Sequence, residues 1–291
     1  MSDRQKAFIS IIVGSIVGGV VSTFMKVGLN EIPPLSFAFL RFFLASLIIF
    51  PFILKKKKNI IKHFIAISPI SLFATANIAL FVLGIRYTTA TVSQILYAAV
   101  PLFIGLVSYL FLSQRLPLNK IWGIILGFLG IVVVVVLPIL EKGRSFSGDL
   151  SGNLIITLGV VCYSIYMILS KKIQEKYSPF EITSIFIFLT SIVLFPFFLL
   201  ELRSYSGWWN HATLIDYSTI IYSALFATVF AYILGQYAIK HGGAIFASMS
   251  FYVQPIVAFV SASFILGEKL TAGIIIGGSL ALLGVFITTK K

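Results

Sequence analysis

The sequence predicts an all-α integral membrane protein, with ten transmembrane helices arranged as two five-helix units of inverted topology. Three observations predict it. Of 291 residues, 59% are hydrophobic and only 11% charged, whereas a water-soluble domain carries about 25% charged residues. Ten apolar runs approach the roughly 20 residues that a helix needs to cross ~30 Å of hydrocarbon. The first half of the chain also reappears in the second. A shift of 145 carries Gly14 to Gly159, Lys26 to Lys171, Pro34 to Pro179, and Phe50-Pro51-Phe52 to Phe195-Pro196-Phe197. A shift of 154 carries Ala90 to Ala244, Pro101 to Pro255, Leu112 to Leu266, Leu116 to Leu270, and Gly123 and Gly130 to Gly277 and Gly284. The nine extra residues fall in the polar connection 201–216.

The ten runs follow one another along the chain. The first, 7–28, lacks a small-residue cleavage site after a short apolar stretch, so it reads as a retained helix and not a signal peptide. It holds Gly14 and Gly18, four apart. The second, 34–54, opens on Pro34 and buries Arg41 about seven residues, roughly 10 Å, from its outer end. The third, 64–85, carries Thr75 and Asn77; the fourth, 89–112, carries Gln94, Tyr97 and Pro101. The fifth, 119–138, has Gly123 and Gly127. The sixth, 152–170, holds Tyr163, Tyr166 and the lone cysteine, Cys162, which has no partner for an internal disulfide. The seventh, 179–200, opens on Pro179, and the eighth, 216–239, contains Gln236. The ninth, 243–266, carries Ser248, Tyr252 and Pro255; the tenth, 271–288, carries Gly273 and Gly277. The longest connections, 139–151 and 201–215, leave no room for a soluble domain.

Charge orients the bundle. With both termini in the cytoplasm, inner segments collect fifteen Lys and Arg, including Lys55 to Lys58. The outer ends hold six: Lys26, Arg86, Lys142, Arg144, Arg203 and Lys269. Positive residues favour the cytoplasmic side, so the net charge of +13 is mainly a topology signal. Lys55–Lys58 reads as an inner anchor, not as a nucleic-acid site. Five helices per unit is an odd number, so the second unit enters from the opposite face.

Catalytic chemistry has few candidates. His63, His211 and His241 sit at helix ends or in loops without metal-ligand spacing, and no Ser/His/Asp set or phosphate loop assembles. The nine acids, Glu31 and Glu181 among them, all lie at termini, loops or interfacial ends. No cofactor is implied. Proton coupling would need a rim group such as Glu31 or Glu181; the alternatives are facilitated transport and exchange.

A candidate site centres on the paired prolines. Proline removes a backbone donor and frees a carbonyl that lipid cannot satisfy, so both breaks should face protein or a cavity. Interrupted helices at matching places in two repeats mark a transport site. Gln94, Tyr97 and Pro101 share one face of helix four; Ser248, Tyr252 and Pro255 are read as repeating it on helix nine. Asn77, Thr75, Tyr163, Tyr166 and Gln236 either complete the wall or bond between helices. Arg41 either holds an anionic group of a ligand or snorkels to outer headgroups; its repeat mate is Phe186. Lys26 and Lys171 read as interfacial anchors, and Trp122, Trp208 and Trp209 as boundary aromatics. The glycine pairs read as packing seams, within the chain or against a second protomer.

The chain resembles the drug/metabolite transporter superfamily, specifically its EamA family, with one unit over about 1–140 and another over 150–291. Leu40-Arg41-Phe42 and Tyr97-x-x-x-Pro101-Leu102-Phe103 carry the resemblance in the first unit. In the second they are Tyr252-Val253-Gln254-Pro255-Ile256-Val257-Ala258 and Leu266-Gly267-Glu268-Lys269-Leu270. The first unit departs from the last motif, with Ser113-Gln114 before Arg115-Leu116. The resemblance implies a carrier of small organic metabolites with a central cavity and an inverted repeat. The expectation is therefore a multi-pass carrier in the inner or plasma membrane, working by alternating access as monomer or homodimer. Its substrate is read as a neutral or aromatic amino acid or related compound, exported. A lipid or lipid-linked sugar flippase and a channel-like facilitator are the alternatives.

Overall fold

In the computed structural model the described residues are 1–54, 60–84, 87, 96–112, 116–141, 150–205, 207–266 and 272–290. Among them no strand occurs, and the helices form ten main elements plus a one-turn helix at Trp208–His211. These are α1 (Asp3–Gly28), α2 (Pro34–Leu54), α3 (Ile60–Gly84), α4 (Val100–Leu112, preceded by a turn at 96–98) and α5 (Leu118–Glu141). The second set is α6 (Leu150–Ile173), α7 (Pro179–Ser204), α8 (Leu214–Gly242), α9 (Ala244–Ser248 and Ser250–Leu266) and α10 (Ala272–Thr289). Described stretches of α2, α3, α6, α7 and α8 are long and apolar enough to cross a membrane; those of α4, α5, α9 and α10 are shorter apolar helices.

Repeat mates pack as the duplication requires. The main pairings are α5 on α10 and α2 on α7, each a helix against its own mate. The others come in exchanged pairs: α3 on α6 with α8 on α1, α1 on α9 with α6 on α4, and α3 on α7 with α8 on α2. Such pairing is what a two-fold relation between the units produces. The mates also run antiparallel. Ser36 at the start of α2 meets Glu201 at the end of α7, while Phe52 near the end of α2 meets Phe180 at the start of α7. The repeat is therefore inverted. Both termini lie at one end of the bundle, where His241 contacts Asp3 and the Arg4 guanidinium donates to the Thr289 carbonyl. Lys171 also lies there, donating to the Lys240 carbonyl at 2.5 Å.

The α5/α10 seam shows why small residues were needed. A Cβ on Gly130 would strike the Gly277 carbonyl at 2.7 Å, and one on Gly284 the Gly123 carbonyl at 2.6 Å. These two contacts are repeat images of each other, since 130 maps to 284 and 277 to 123. The seam predicted from the glycines is thus consumed inside the chain, bringing the backbones into direct contact. Gly14 and Gly159 repeat the relation elsewhere, facing Leu234 on α8 and Leu80 on α3.

The units differ in their third helix. α3 contains Pro69. Its counterpart α8 has no proline there, but widens into a π-helix over Ser223–Phe230, beginning where Pro69 maps. Each device frees backbone groups from the regular ladder at the same level of the fold. At the end opposite the termini, Ile32, Phe37, Trp208 and Ile220 form a small cluster, so Trp208 is buried while Trp209 and Trp122 stay exposed.

Candidate functional site

The site begins at the two proline breaks. Pro101 removes the amide that would pair with the Tyr97 carbonyl, and Pro255 does the same for Phe251. The helical run is interrupted at Ala99 before α4 and at Met249 within α9. Tyr97 and Phe251 are repeat mates, and their rings meet with centroids 6.0 Å apart at 38°. The breaks thus bring one aromatic from each unit together between the halves.

From that pair a continuous aromatic lining extends. Phe81 on α3 stands edge-on to Tyr97 at 5.4 Å, and Tyr163 on α6 lies 5.6 Å from Phe251. Tyr163 leads to Tyr166 at 5.8 Å, Tyr166 to Phe186 on α7 at 5.7 Å, and Phe186 to Tyr232 on α8 at 4.9 Å. Phe42 on α2 closes the run edge-on to Phe186. Phe186 and Tyr166 are buried, whereas Phe81, Tyr97, Tyr163, Tyr232 and Phe251 pack on the core yet retain accessible surface. Offset and edge-on rings at these separations attract through their quadrupoles, which holds the lining in shape.

Two hydroxyls in this lining each accept a hydrogen bond from a neighbour, and a third has a guanidinium beside it. Asn77 donates to Tyr97 at 2.7 Å and, from the same amide nitrogen, to the Gly159 carbonyl at 2.9 Å. Gln236 donates to Tyr166 at 2.8 Å, and is itself approached by Gln174, 2.6 Å from its side-chain oxygen. The Arg41 guanidinium lies beside the Tyr232 hydroxyl and 5.0 Å from the Phe42 ring centroid. A tyrosine hydroxyl that accepts one bond keeps its own proton to donate. The lining therefore offers apolar ring faces, O–H donors and one guanidinium, a set suited to binding and not to bond cleavage. Among the described residues no group of three or more His, Cys, Asp or Glu gathers to hold a metal.

The predicted residues divide accordingly. Asn77, Tyr97, Tyr163, Tyr166, Gln236 and Arg41 come together through these contacts. Tyr252 does not: its ring lies over Gly127, its hydroxyl donates to the Ile124 carbonyl at 2.8 Å, and it packs with Ala98 and Val285. The residue on the Tyr97-equivalent face is Phe251, because 97 plus 154 is 251. Ser248 is buried and donates to the Ile245 carbonyl of its own helix. Pro101 and Pro255 serve through the backbone. Thr75 bonds to Thr190 across α3 and α7 at 2.8 Å. Gln94 and the Leu266–Leu270 motif lie outside the fully described residues. Phe251, Tyr232, Phe81 and Phe186 were not singled out as lining; the 154-residue shift alone would have found Phe251.

Two stretches of the chain, residues 5–136 and 150–290, match the EamA-like transporter family. An uncharacterized transporter of Archaeoglobus fulgidus is 28% identical over 274 residues, covering 94% of this chain and 95% of its own. The uncharacterized transporter YoaV of Bacillus subtilis is 24% identical over 291 residues, covering 98% and 97%. The crystal structure of another protein, 15% identical, superposes with a TM-score of 0.76 over 98% of this chain and 95% of that one. At that identity the likeness concerns the fold alone.

Proposed function

This chain belongs to the EamA-like transporter family, and from that premise we propose that it carries a small amphipathic organic metabolite by alternating access. The substrate sits between the two repeats, against the aromatic lining. The observation that carries this reading is the Tyr97–Phe251 contact, where repeat mates from opposite units meet at proline-broken helices. Two inverted units that rock about such a contact expose it first to one side and then to the other.

Three features of the lining support the substrate class. Ring faces of Tyr97, Tyr163, Phe251 and Phe81 favour an aromatic or apolar body. The tyrosine hydroxyls and Asn77 favour groups that accept hydrogen bonds. Arg41, beside Tyr232, adds positive charge for a carboxylate. A neutral or aromatic amino acid satisfies all three; a highly phosphorylated compound exceeds the charge that one guanidinium offers. In this reading the end bearing both termini faces the cytoplasm, the membrane is the cell membrane, and each repeat is one structural unit. The α5/α10 seam is filled within the chain, so a monomer suffices.

The test is a thermal-stability screen of purified protein against a metabolite panel, run beside Tyr97→Ala. A ligand at 100 times its Kd stabilises the fold by about 2.7 kcal/mol. A rise in Tm with one chemical class, absent in Tyr97→Ala, is the expected result. Rescue of the full shift in Tyr97→Ala would remove Tyr97 from the site. Silence across the panel, with head-group-dependent lipid flipping in liposomes, would replace this reading by a flippase.

A further inference from the structure

α7 carries a carboxylate near each end, and each docks onto the first unit. At the end away from the termini, Glu201 is buried and accepts from the Ser36 amide and hydroxyl of α2, at 2.5 and 2.9 Å. At the terminal end, Glu181 caps its own helix through one oxygen, accepting from the Ser178 amide at 2.9 Å and hydroxyl at 2.7 Å. Its other oxygen stands 3.4 Å from Nδ1 of His63 at the start of α3. The two side chains are 33% and 22% exposed, so they are reached by water and protons yet sheltered. A small cavity between α2, α3 and α7 adjoins them, walled by Ile53, Ile60, Phe180, Ser184 and Ile185.

We propose that His63 and Glu181 form a proton-binding latch between the two repeats at this end. The proposal rests on the alternating-access reading, since a latch acts only if the ends separate. Imidazole is the side chain that changes charge between pH 5 and 8. When His63 takes a proton from solution it becomes an imidazolium beside the Glu181 carboxylate, which the α7 cap orients. The contact then turns from neutral imidazole against a carboxylate into an ion pair, and the terminal end closes. When the proton leaves, the attraction falls and the cavity opens.

Among the described residues, the groups around the pair are Tyr177, the cavity wall and a few exposed charges; Lys55 to Lys58 of the α2–α3 connection lie outside the described residues. The α6–α7 turn presents Tyr177, whose ring lies edge-on to His63 at 5.2 Å. α2 faces the cavity with apolar Ile53 and α7 with Phe180, Ser184 and Ile185. From the end of α6, Lys171, Lys172, Glu175 and Lys176 are exposed, and Lys171 is committed to the Lys240 carbonyl. Lys62 adjoins His63 on α3 and is exposed.

The experiment places a thiol in the cavity, Ile185→Cys in a Cys162→Ala background, and measures maleimide labelling of purified protein from pH 5 to 8. Each rate is divided by that of the unfolded protein at the same pH, which removes the thiol's own titration. The normalised rate should rise about 1.4- to 5-fold with pH, the equivalent of ~0.2–1 kcal/mol for a partly exposed ion pair. It should be flat in His63→Gln and in Glu181→Gln. The second variant keeps the helix cap, because glutamine serves equally at that position. A flat profile in the parent, or a pH dependence that survives in both variants, overturns the latch. No substrate is needed, so failure here leaves the transport reading standing, and a silent metabolite screen leaves the latch standing.

Discussion

The α5/α10 seam and the central lining were built from the same duplication and have diverged to opposite degrees. In the seam the contacts are images of one another, Gly130 on Gly277 and Gly284 on Gly123. In the lining hardly any residue matches its mate: Tyr97 opposes Phe251, Arg41 maps to Phe186, Asn77 to Ala231, Tyr232 to Ile78, and Gln236 to Val82. Backbone-to-backbone packing tolerates no side chain on either copy, so both copies stay glycine. A pocket for one asymmetric molecule, as proposed here, gains nothing from symmetry, and a hydrogen-bonding group in one unit maps to a plain ring or aliphatic in the other. The difference separates the residues that hold the halves together from those proposed to meet a ligand.

The seam is the more sensitive of the two regions to substitution. Gly284→Ala drives a methyl against the backbone of Gly127 and Gly123, where nothing can rotate away. A loss of about 3 kcal/mol is expected, at the upper end for overpacking, read as a lower Tm. A fully stable variant would mean that the seam is looser than these contacts imply. In the lining, Asn77→Ala removes both bonds made by one amide and leaves the Tyr97 hydroxyl and the Gly159 carbonyl without that donor. The expected cost is about 1–2 kcal/mol of stability, with a larger loss of ligand-induced stabilisation than of Tm. If only Tm changed, Asn77 would be a packing residue. Gly14→Ala should do least: its Cβ would meet Leu234 at an ordinary 3.6 Å. Replacing a helical glycine there should leave Tm unchanged or raise stability by up to about 1 kcal/mol.

The fold was largely legible because its signals are long. Runs of about 20 apolar residues and a gapless shift of 154 survive local error, and they led to the helices and the inverted pairing. The aromatic lining was legible where the shift was followed strictly and missed where residue likeness was followed instead. Gln94, Tyr97 and Pro101 are spaced three and four apart, which maps onto Ser248, Phe251 and Pro255. Matching tyrosine to tyrosine chose Tyr252, about 100° around the helix, and that rotation turns the ring into the seam over Gly127. Tyr232 could not be found this way, since α8 and α3 share little identity. The π-helix that precedes it has no signature in composition. Burial of Glu201 was equally hidden, because a carboxylate at a helix end reads as solvated until the neighbouring helix start is seen to cap onto it.

The most direct measurement is substrate KM in proteoliposomes for two neighbouring variants, Phe251→Ala and Tyr252→Phe. One residue lines the proposed site and the next belongs to the seam. The account predicts a rise in KM of about tenfold or more for Phe251→Ala, equivalent to ~1.4 kcal/mol of lost binding. Tyr252→Phe should leave KM unchanged while lowering stability by about 1 kcal/mol through the lost bond to Ile124. The reverse pattern, with KM moving in Tyr252→Phe and holding in Phe251→Ala, would contradict the assignment of lining and seam.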